Sequence, residues 1–274
     1  MKLSLGFSPC PNDTFIFDAL VNHKIDTRGY EFEVHLEDVQ TLNQWAKEEK
    51  LDVSKISYGV LPSVRKEYAV LNSGSALGQG VGPLLISNNK IADDEVNESV
   101  IAIPGKDTTA HLLFSLAYPE AKKKVFLRYD EIENFVLENK GLGVIIHENR
   151  FTYEAKGLTK LVDLGDYWEK ETKAPIPLGG IVIRRSFSAD LQSGLDALIK
   201  KSIAFAFANY PNLGNFITSN AQEMSEDVMR KHIDLYVNDF SLDLGTIGKK
   251  AIEKLLSVNA RKVPELPAQS TFVN

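Results

Sequence analysis

Apolar and polar positions alternate from the start of the chain. Leu3, Leu5 and Phe7 fall on every second residue, which predicts a strand over 2–8. A turn-rich Ser8-Pro9-Cys10-Pro11-Asn12-Asp13 follows, then a helix through Phe15, Ala19 and Leu20. Phe32, Val34 and Leu36 alternate as a second strand, and Val39, Leu42, Trp45 and Ala46 recur at helical spacing. Leu51, Val53 and Ile56 mark a third strand ahead of a short helix near 58–66. This βαβα order predicts the α/β class, with a mostly parallel sheet and helices on both of its faces.

Near residue 74 the pattern changes. Gly74, Gly78, Gly80 and Gly82 lead into Pro83-Leu84-Leu85-Ile86, and much later Pro177-Leu178-Gly179-Gly180 leads into Ile181-Val182-Ile183. Between these segments lies a second βαβ series. It holds Val100 to Ile103, a helix from about 108 to 117, a helix carrying Ile132, Phe135 and Val136, and the apolar strand Val144-Ile145-Ile146. Beyond residue 190 the chain reads as mainly helical, with Leu191, Leu195, Leu198 and Ile203 on one face and Leu244, Ile247, Ala251 and Leu255 on another. The two glycine-punctuated segments read as crossovers between domains. The expectation is a discontinuous lobe I, residues 1–87 and 180–274, and a lobe II, residues 88–179. Two α/β lobes around a ligand cleft are the layout of the type II periplasmic-binding-protein-like fold.

Composition narrows the partners. A net charge of −6 over 274 residues offers no basic excess to hold phosphates, which argues against nucleic acid. Lys122, Lys123 and Lys124 form the one obvious basic run and read as a solvated helix end. A single cysteine, Cys10, leaves no internal disulfide and no multi-cysteine metal site. The first residues are too short an apolar stretch for a signal peptide, and no run approaches the roughly 18 apolar residues of a bilayer span. A cytoplasmic protein without membrane insertion is expected; whether it is a monomer or a weak dimer is left open.

In open α/β sheets, ligands bind beyond the carboxyl ends of the strands. Four segments occupy that position: 8–14, 54–58, 104–110 and 147–151. Pro104-Gly105-Lys106-Asp107-Thr108-Thr109-Ala110 follows a strand and opens a helix, so either Asp107 or Thr108 suits the N-cap. The free amides of such a first turn bind anions, and the hydroxyls of Thr108 and Thr109 add donors. The plainer alternative is a capped helix start that touches no ligand. Lys55 and Ser57, two apart on a strand, face the same side as donors to an anion, unless Lys55 is simply solvated. His147 leaves a buried strand with Glu148 beside it and suits general-base work near neutral pH, although a lone histidine is more often structural. His111 could equally be a core or capping partner; His23, His35 and His232 stand in charged, surface-like sequence. No histidine or carboxylate spacing suggests a metal site, and the glycine run 74–82 matches neither phosphate-binding fingerprint. Nothing in sequence near Cys10 suggests a lowered thiol pKa, so a small buried residue is the better reading.

Several spaced blocks resemble a known family. Ser8-Pro9-Cys10-Pro11-Asn12-Asp13-Thr14-Phe15, Asp52-Val53-Ser54-Lys55-Ile56-Ser57, Pro104-Gly105 with Thr108-Thr109-Ala110, and Gly143-Val144-Ile145-Ile146-His147-Glu148 are similar to the 1,4-dihydroxy-6-naphthoate synthase family. Asp163-Leu164-Gly165, Trp168-Glu169 and Pro175-Ile176-Pro177-Leu178-Gly179 continue the match, so it covers most of the chain. The resemblance implies a carbon–carbon lyase of menaquinone biosynthesis by the futalosine route. It would cleave cyclic dehypoxanthinylfutalosine to 1,4-dihydroxy-6-naphthoate and dihydroxyacetone, without cofactor or metal. It also implies His147 as the base and Lys55, Ile56, Ser57, Thr108 and Thr109 as contacts to a small anionic substrate. A chorismate dehydratase on the same fold and a non-catalytic carboxylate-binding solute-binding protein are the alternatives.

Overall fold

A computed structural model describes residues 1–222, 225–260 and 270–273. The chain divides into two compact units, Met1–Gly78 with Pro177–Asn274, and Gln79–Ile176. The expected breaks lay after residues 87 and 179. The apolar run at 84–87 therefore goes with the second unit, because it pairs there on both of its edges.

The first segment lays down β1 (Lys2–Phe7), α1 (Pro11–Val21), β2 (Glu31–Leu36), α2 (Val39–Lys47), β3 (Val53–Ser57), α3 (Leu61–Val64), β4 (Tyr68–Val70) and β5 (Ala76–Gly78). The middle segment builds β6 (Leu84–Ser87), β7 (Ile101–Ile103), α4 (Thr109–Ala117), β8 (Lys124–Phe126), α5 (Ile132–Leu137), β9 (Leu142–Ile145), α6 (Asn149–Thr152), β10 (Thr159–Asp163) and α7 (Leu164–Thr172). The chain then returns through β11 (Ile176–Arg184) and closes with α8 (Ala189–Asn209), α9 (Asn215–Asn220), α10 (Glu226–Tyr236), α11 (Asp239–Leu242) and α12 (Gly245–Ala260). Among the described residues no helix is long and apolar enough to cross a membrane.

In the first unit the strand order is β2-β1-β3-β11-β4, with β5 on β11. Strand β1 runs parallel to β2 and β3, as βαβ crossovers require. Strand β11 runs antiparallel to both β3 and β4, so the sheet is mixed rather than mostly parallel. The reason is topological: β11 re-enters from the second unit and is free of the handed crossover that fixes β1, β2 and β3. Gly74 allows the sheet to close locally. Its φ of +85° lies in the left-handed region, and a Cβ there would meet Ile181 Cδ1 at 2.0 Å. The core joins Leu3, Leu5 and Phe7 of β1 to Phe15, Phe17 and Leu20 of α1 and to Leu195, Leu198, Ile199 and Ile203 of α8. This is the face that the apolar periodicities predicted.

The second sheet has the order β10-β6-β9-β7-β8. Its β7 is parallel to both β8 and β9, while β6 is antiparallel to β9 and β10, so it too is mixed. Leu84, Ile86, Ala102, Ile132, Val136 and Ile145 form its core. Lys122–Lys124 follow the end of α4 and feed β8 instead of ending a helix; Lys124 Nζ donates to Ser115 Oγ at 2.7 Å.

Candidate functional site

The same local construction occurs in each unit. In the first, β1 and β3 are adjacent and parallel (Leu5 opposite Val53, Gly6 opposite Ser54), so the loop after β1 and the end of β3 emerge at one sheet edge. Lys55 and Ser57 point to the same side of β3 by the strand's two-residue period. Lys55 is not solvated: it is 5% exposed and its Nζ lies 2.9 Å from Asp13 Oδ1, while also donating to the carbonyl of Gly74 at 2.8 Å. Two of its three donors are thus directed within the protein.

Asp13 carries the balancing charge. It stands in the first turn of α1, where a carboxylate is favoured by the helix dipole, and Pro11 just before it loses nothing by lacking an N–H there. Ser8 donates to Asp13 Oδ2 from its amide (3.2 Å) and its hydroxyl (2.8 Å), and Asn12 Nδ2 donates to Oδ1 at 2.9 Å. With Lys55 the carboxylate has four donors. A buried ion pair persists only when its remaining lone pairs are satisfied in this way.

Ser57 is held from α2. Asn43, fully buried, donates from Nδ2 to Ser57 Oγ at 3.1 Å, and its Oδ1 accepts the Ser57 amide at 2.8 Å. Ile56, also fully buried, is paired in register with Gly180, so its side chain is core. Next along the chain Tyr58 is buried, with its hydroxyl 2.6 Å from Ser75 Oγ. Burial pushes its phenol well above the ordinary tyrosine value, so Tyr58 stays neutral.

In the second unit β7 and β9 are the adjacent parallel pair, with Ile101 opposite Leu142 and Ala102 opposite Gly143. Residues 104–108 and the turn at 146–148 therefore leave the same edge of that sheet. Of the two N-cap possibilities, Thr108 takes the role: its Oγ1 accepts the His111 amide at 3.2 Å and donates to the carbonyl of Gly105 at 2.8 Å. His111 Nδ1 lies 2.7 Å from the carbonyl of Lys106, so it fastens the same loop. A carbonyl only accepts, so that nitrogen carries the proton. The Thr108 hydroxyl is thus used within the loop. Thr109, 3% exposed, begins α4 proper.

His147 is half-buried and follows β9 by two residues. Its φ is +58°, an uncommon conformation for a residue other than glycine, and the Tyr129 ring meets the imidazole edge-on at 4.9 Å between centroids. Its neighbours are strongly anchored. Asn149 donates to Glu133 of α5, whose carboxylate also holds Lys156 at 2.6 Å. Arg150 pairs with Asp163 Oδ2 at 2.6 Å, and donates to the carbonyl of Gly80 at 2.9 Å and to that of Gly82. Asp163 in turn caps α7 by accepting the Gly165 amide at 2.8 Å. A strained backbone at an otherwise fixed turn is a common feature of functional sites.

Two members of the first unit's network stand apart from the candidates read from the sequence. Asn43 gave no signal. His232 is 1% exposed and lies 2.9 Å from Asn12 Oδ1, which corrects its surface-like reading. The signal was present in the helical spacing, since Met229, His232, Ile233 and Tyr236 all lie on the buried face of α10.

Two α/β units with polar side chains at the carboxyl ends of paired parallel strands define a periplasmic-binding-protein-like α/β protein. The fold agrees with that of the ligand-binding component of an ABC-type import system from Staphylococcus aureus (TM-score 0.72, 14% identity, 100% of this chain and 96% of that one). A crystal structure of a protein from Archaeoglobus fulgidus aligns at a TM-score of 0.90 with 30% identity, over 95% of this chain and 97% of the other. The chain belongs to the menaquinone biosynthesis family, whose profile matches residues 3–261. Curated relatives are the 1,4-dihydroxy-6-naphthoate synthases of Thermus thermophilus (43% identity, 93% of each chain) and Streptomyces coelicolor (39% identity, 93% of this chain and 92% of the relative). The protein is an enzyme of menaquinone biosynthesis.

Proposed function

We propose that the protein is a carbon–carbon lyase that converts cyclic dehypoxanthinylfutalosine to 1,4-dihydroxy-6-naphthoate and dihydroxyacetone. His147 is the general base in this reading. Lys55 and Ser57, the backbone of Ile56 between them, and Thr109 with the first-turn amides of α4 hold the substrate, while Thr108 shapes the loop that presents those amides. The observation that carries the proposal is the position of His147: a half-buried imidazole on a left-handed turn, at the edge where β7 and β9 both end, in a chain of this family.

The reaction suits these groups. Cleavage with aromatisation is redox-neutral, so it requires proton transfer and anion positioning, and the aromatic product helps to drive it. A neutral imidazole accepts the proton, so kcat/KM falls as pH drops through the titration of the base in the free enzyme. The proposed steps themselves require no metal and no organic cofactor.

Incubating the pure protein with cyclic dehypoxanthinylfutalosine tests the proposal, with naphthoate and dihydroxyacetone expected in equal amounts and turnover maintained in EDTA. Chelator-sensitive turnover restored by a divalent metal would remove the cofactor-free mechanism. Stoichiometric binding of the substrate with no naphthoate formed would remove the proposed reaction.

A further inference from the structure

We propose that His232 is a positioning residue for substrate anchoring, acting on Lys55 through Asn12 and Asp13. The inference rests on the reading of Lys55 as a substrate contact. It begins with α10, whose outward positions Glu226, Asp227, Arg230 and Lys231 are charged while His232 faces inward, ring against ring with Tyr236 at 4.7 Å between centroids. An imidazole buried to 1% exposure needs hydrogen bonds to compensate its lost hydration.

The direction of each bond along the chain follows from chemistry. The Asp13 carboxylate is paired with Lys55, so it only accepts, and Asn12 must present its amide nitrogen to Oδ1 (2.9 Å). The Asn12 carbonyl oxygen is then turned towards His232 Nε2, 2.9 Å away, and that nitrogen must carry a proton. His232 thereby fixes the Asn12 amide in one orientation. Asn12 and Lys55 share the same carboxylate oxygen, Asp13 Oδ1, each at 2.9 Å. The position of the Lys55 ammonium thus depends on a relay that begins at a helix near the end of the chain, whereas Ser8 holds the other oxygen independently.

Without the His232 donor, the Asn12 oxygen loses its partner, the amide is free to turn, and Asp13 Oδ1 loses a donor that competes with Lys55. Each neutral hydrogen bond is worth about 0.5–1.5 kcal/mol net, which corresponds to roughly 2- to 10-fold in an equilibrium. His232→Leu should therefore raise KM about 2- to 10-fold while kcat stays within about twofold. His232→Gln, whose side-chain amide can donate from a similar position, should restore KM to near the wild-type value. Lys55→Met, measured in parallel, should raise KM by itself, and adding His232→Leu to it should raise KM no further.

The outcomes separate the two ideas. If Lys55→Met leaves KM unchanged, the reading of Lys55 fails and the relay falls with it. If Lys55→Met raises KM but His232→Leu lowers only thermal stability, the relay alone is overturned. Additive effects in the double variant, or no rescue by glutamine, overturn it as well. Should His232→Leu not fold, Asn12→Ala interrupts the relay one residue further on and must show the same rise in KM; an unchanged KM there counts equally against the proposal.

Discussion

The strand ends of the first unit and those of the second are built on opposite plans. At β3 the polar groups are matched to one another: Lys55 to Asp13 and Gly74, Asp13 to Ser8 and Asn12, Ser57 to Asn43. At β9 the residues around His147 are anchored through Glu133 and Arg150, while His147 itself stands half-buried on a left-handed backbone. Groups that anchor a substrate gain from being fixed beforehand, since little ordering is then required on binding. A base must instead expose an acceptor to the substrate's proton and change charge in the course of reaction. In the proposed reading the matched groups at β3 anchor the substrate and His147 at the end of β9 transfers the proton.

The largest expected effect comes from the proposed base. Asparagine tolerates the left-handed conformation, so His147→Asn should keep the turn and the fold while lowering kcat by about 10²–10⁴-fold. Substrate binding should persist. A folded variant with more than about a tenth of the wild-type kcat would remove His147 from the mechanism and point to Glu148 or Cys10.

Next in size is the buried pair. Asp13→Asn leaves the Lys55 charge without its counter-ion and should cost about 3–5 kcal/mol in urea unfolding. Asp13→Asn combined with Lys55→Met should recover much of that loss, because no unpaired charge remains buried. Equal stability of the single and double variants would mean that the first network is not held by charge pairing.

The two adjacent threonines should then separate. With Thr109 bound to the substrate carboxylate as proposed, Thr109→Val removes one hydrogen bond to a charged group, so KM should rise about 10- to 100-fold with stability little changed. Thr108→Ala removes an N-cap and should cost about 1 kcal/mol of stability, with a smaller effect on KM. Reversed results would transfer the substrate contact to Thr108.

The last effect, absent near neutral pH, is shared by both units. Burial, the leading cause in each case, pushes the phenols of Tyr68 in the first unit and Tyr153 in the second up to about 12. A group whose pKa is raised by folding contributes its full stability below its unfolded value, near 10 for tyrosine, and loses that contribution as pH rises towards the folded value. Chemical denaturation should therefore show no tyrosine-linked change up to about pH 10 and a progressive loss from there to about 12. A loss that sets in well below pH 10 would place the alkaline-sensitive group elsewhere.

Much of this was legible in the chain. Two-residue alternation located β1 and β2, helical spacing located α2 and α8, and the threonine-rich helix start and the strand-exit histidine were found from local pattern alone. Local reading went wrong where the decisive neighbour was remote. The run at 84–87 looked like a crossover strand of the first lobe, but pairing with β9 and β10 placed it in the second sheet. His232 looked solvent-facing among Arg230, Lys231 and Asp234, yet its helical face is covered and its partner is Asn12, 220 residues away in sequence.

By itself, the sequence determined what depends on short-range periodicity and residue chemistry: the α/β class, most element positions, the acidic net charge, and the candidate groups at the strand ends. Only the tertiary structure decided the direction of β11 and β6, the burial of Lys55 against Asp13, the capping use of Thr108, and the meeting of His232 with Asn12. The physical reason is that a side chain's charge state and hydrogen-bond partners depend on its surroundings after folding. Those surroundings are assembled from segments far apart in the chain, where no local pattern of hydrophobic and polar positions can record them.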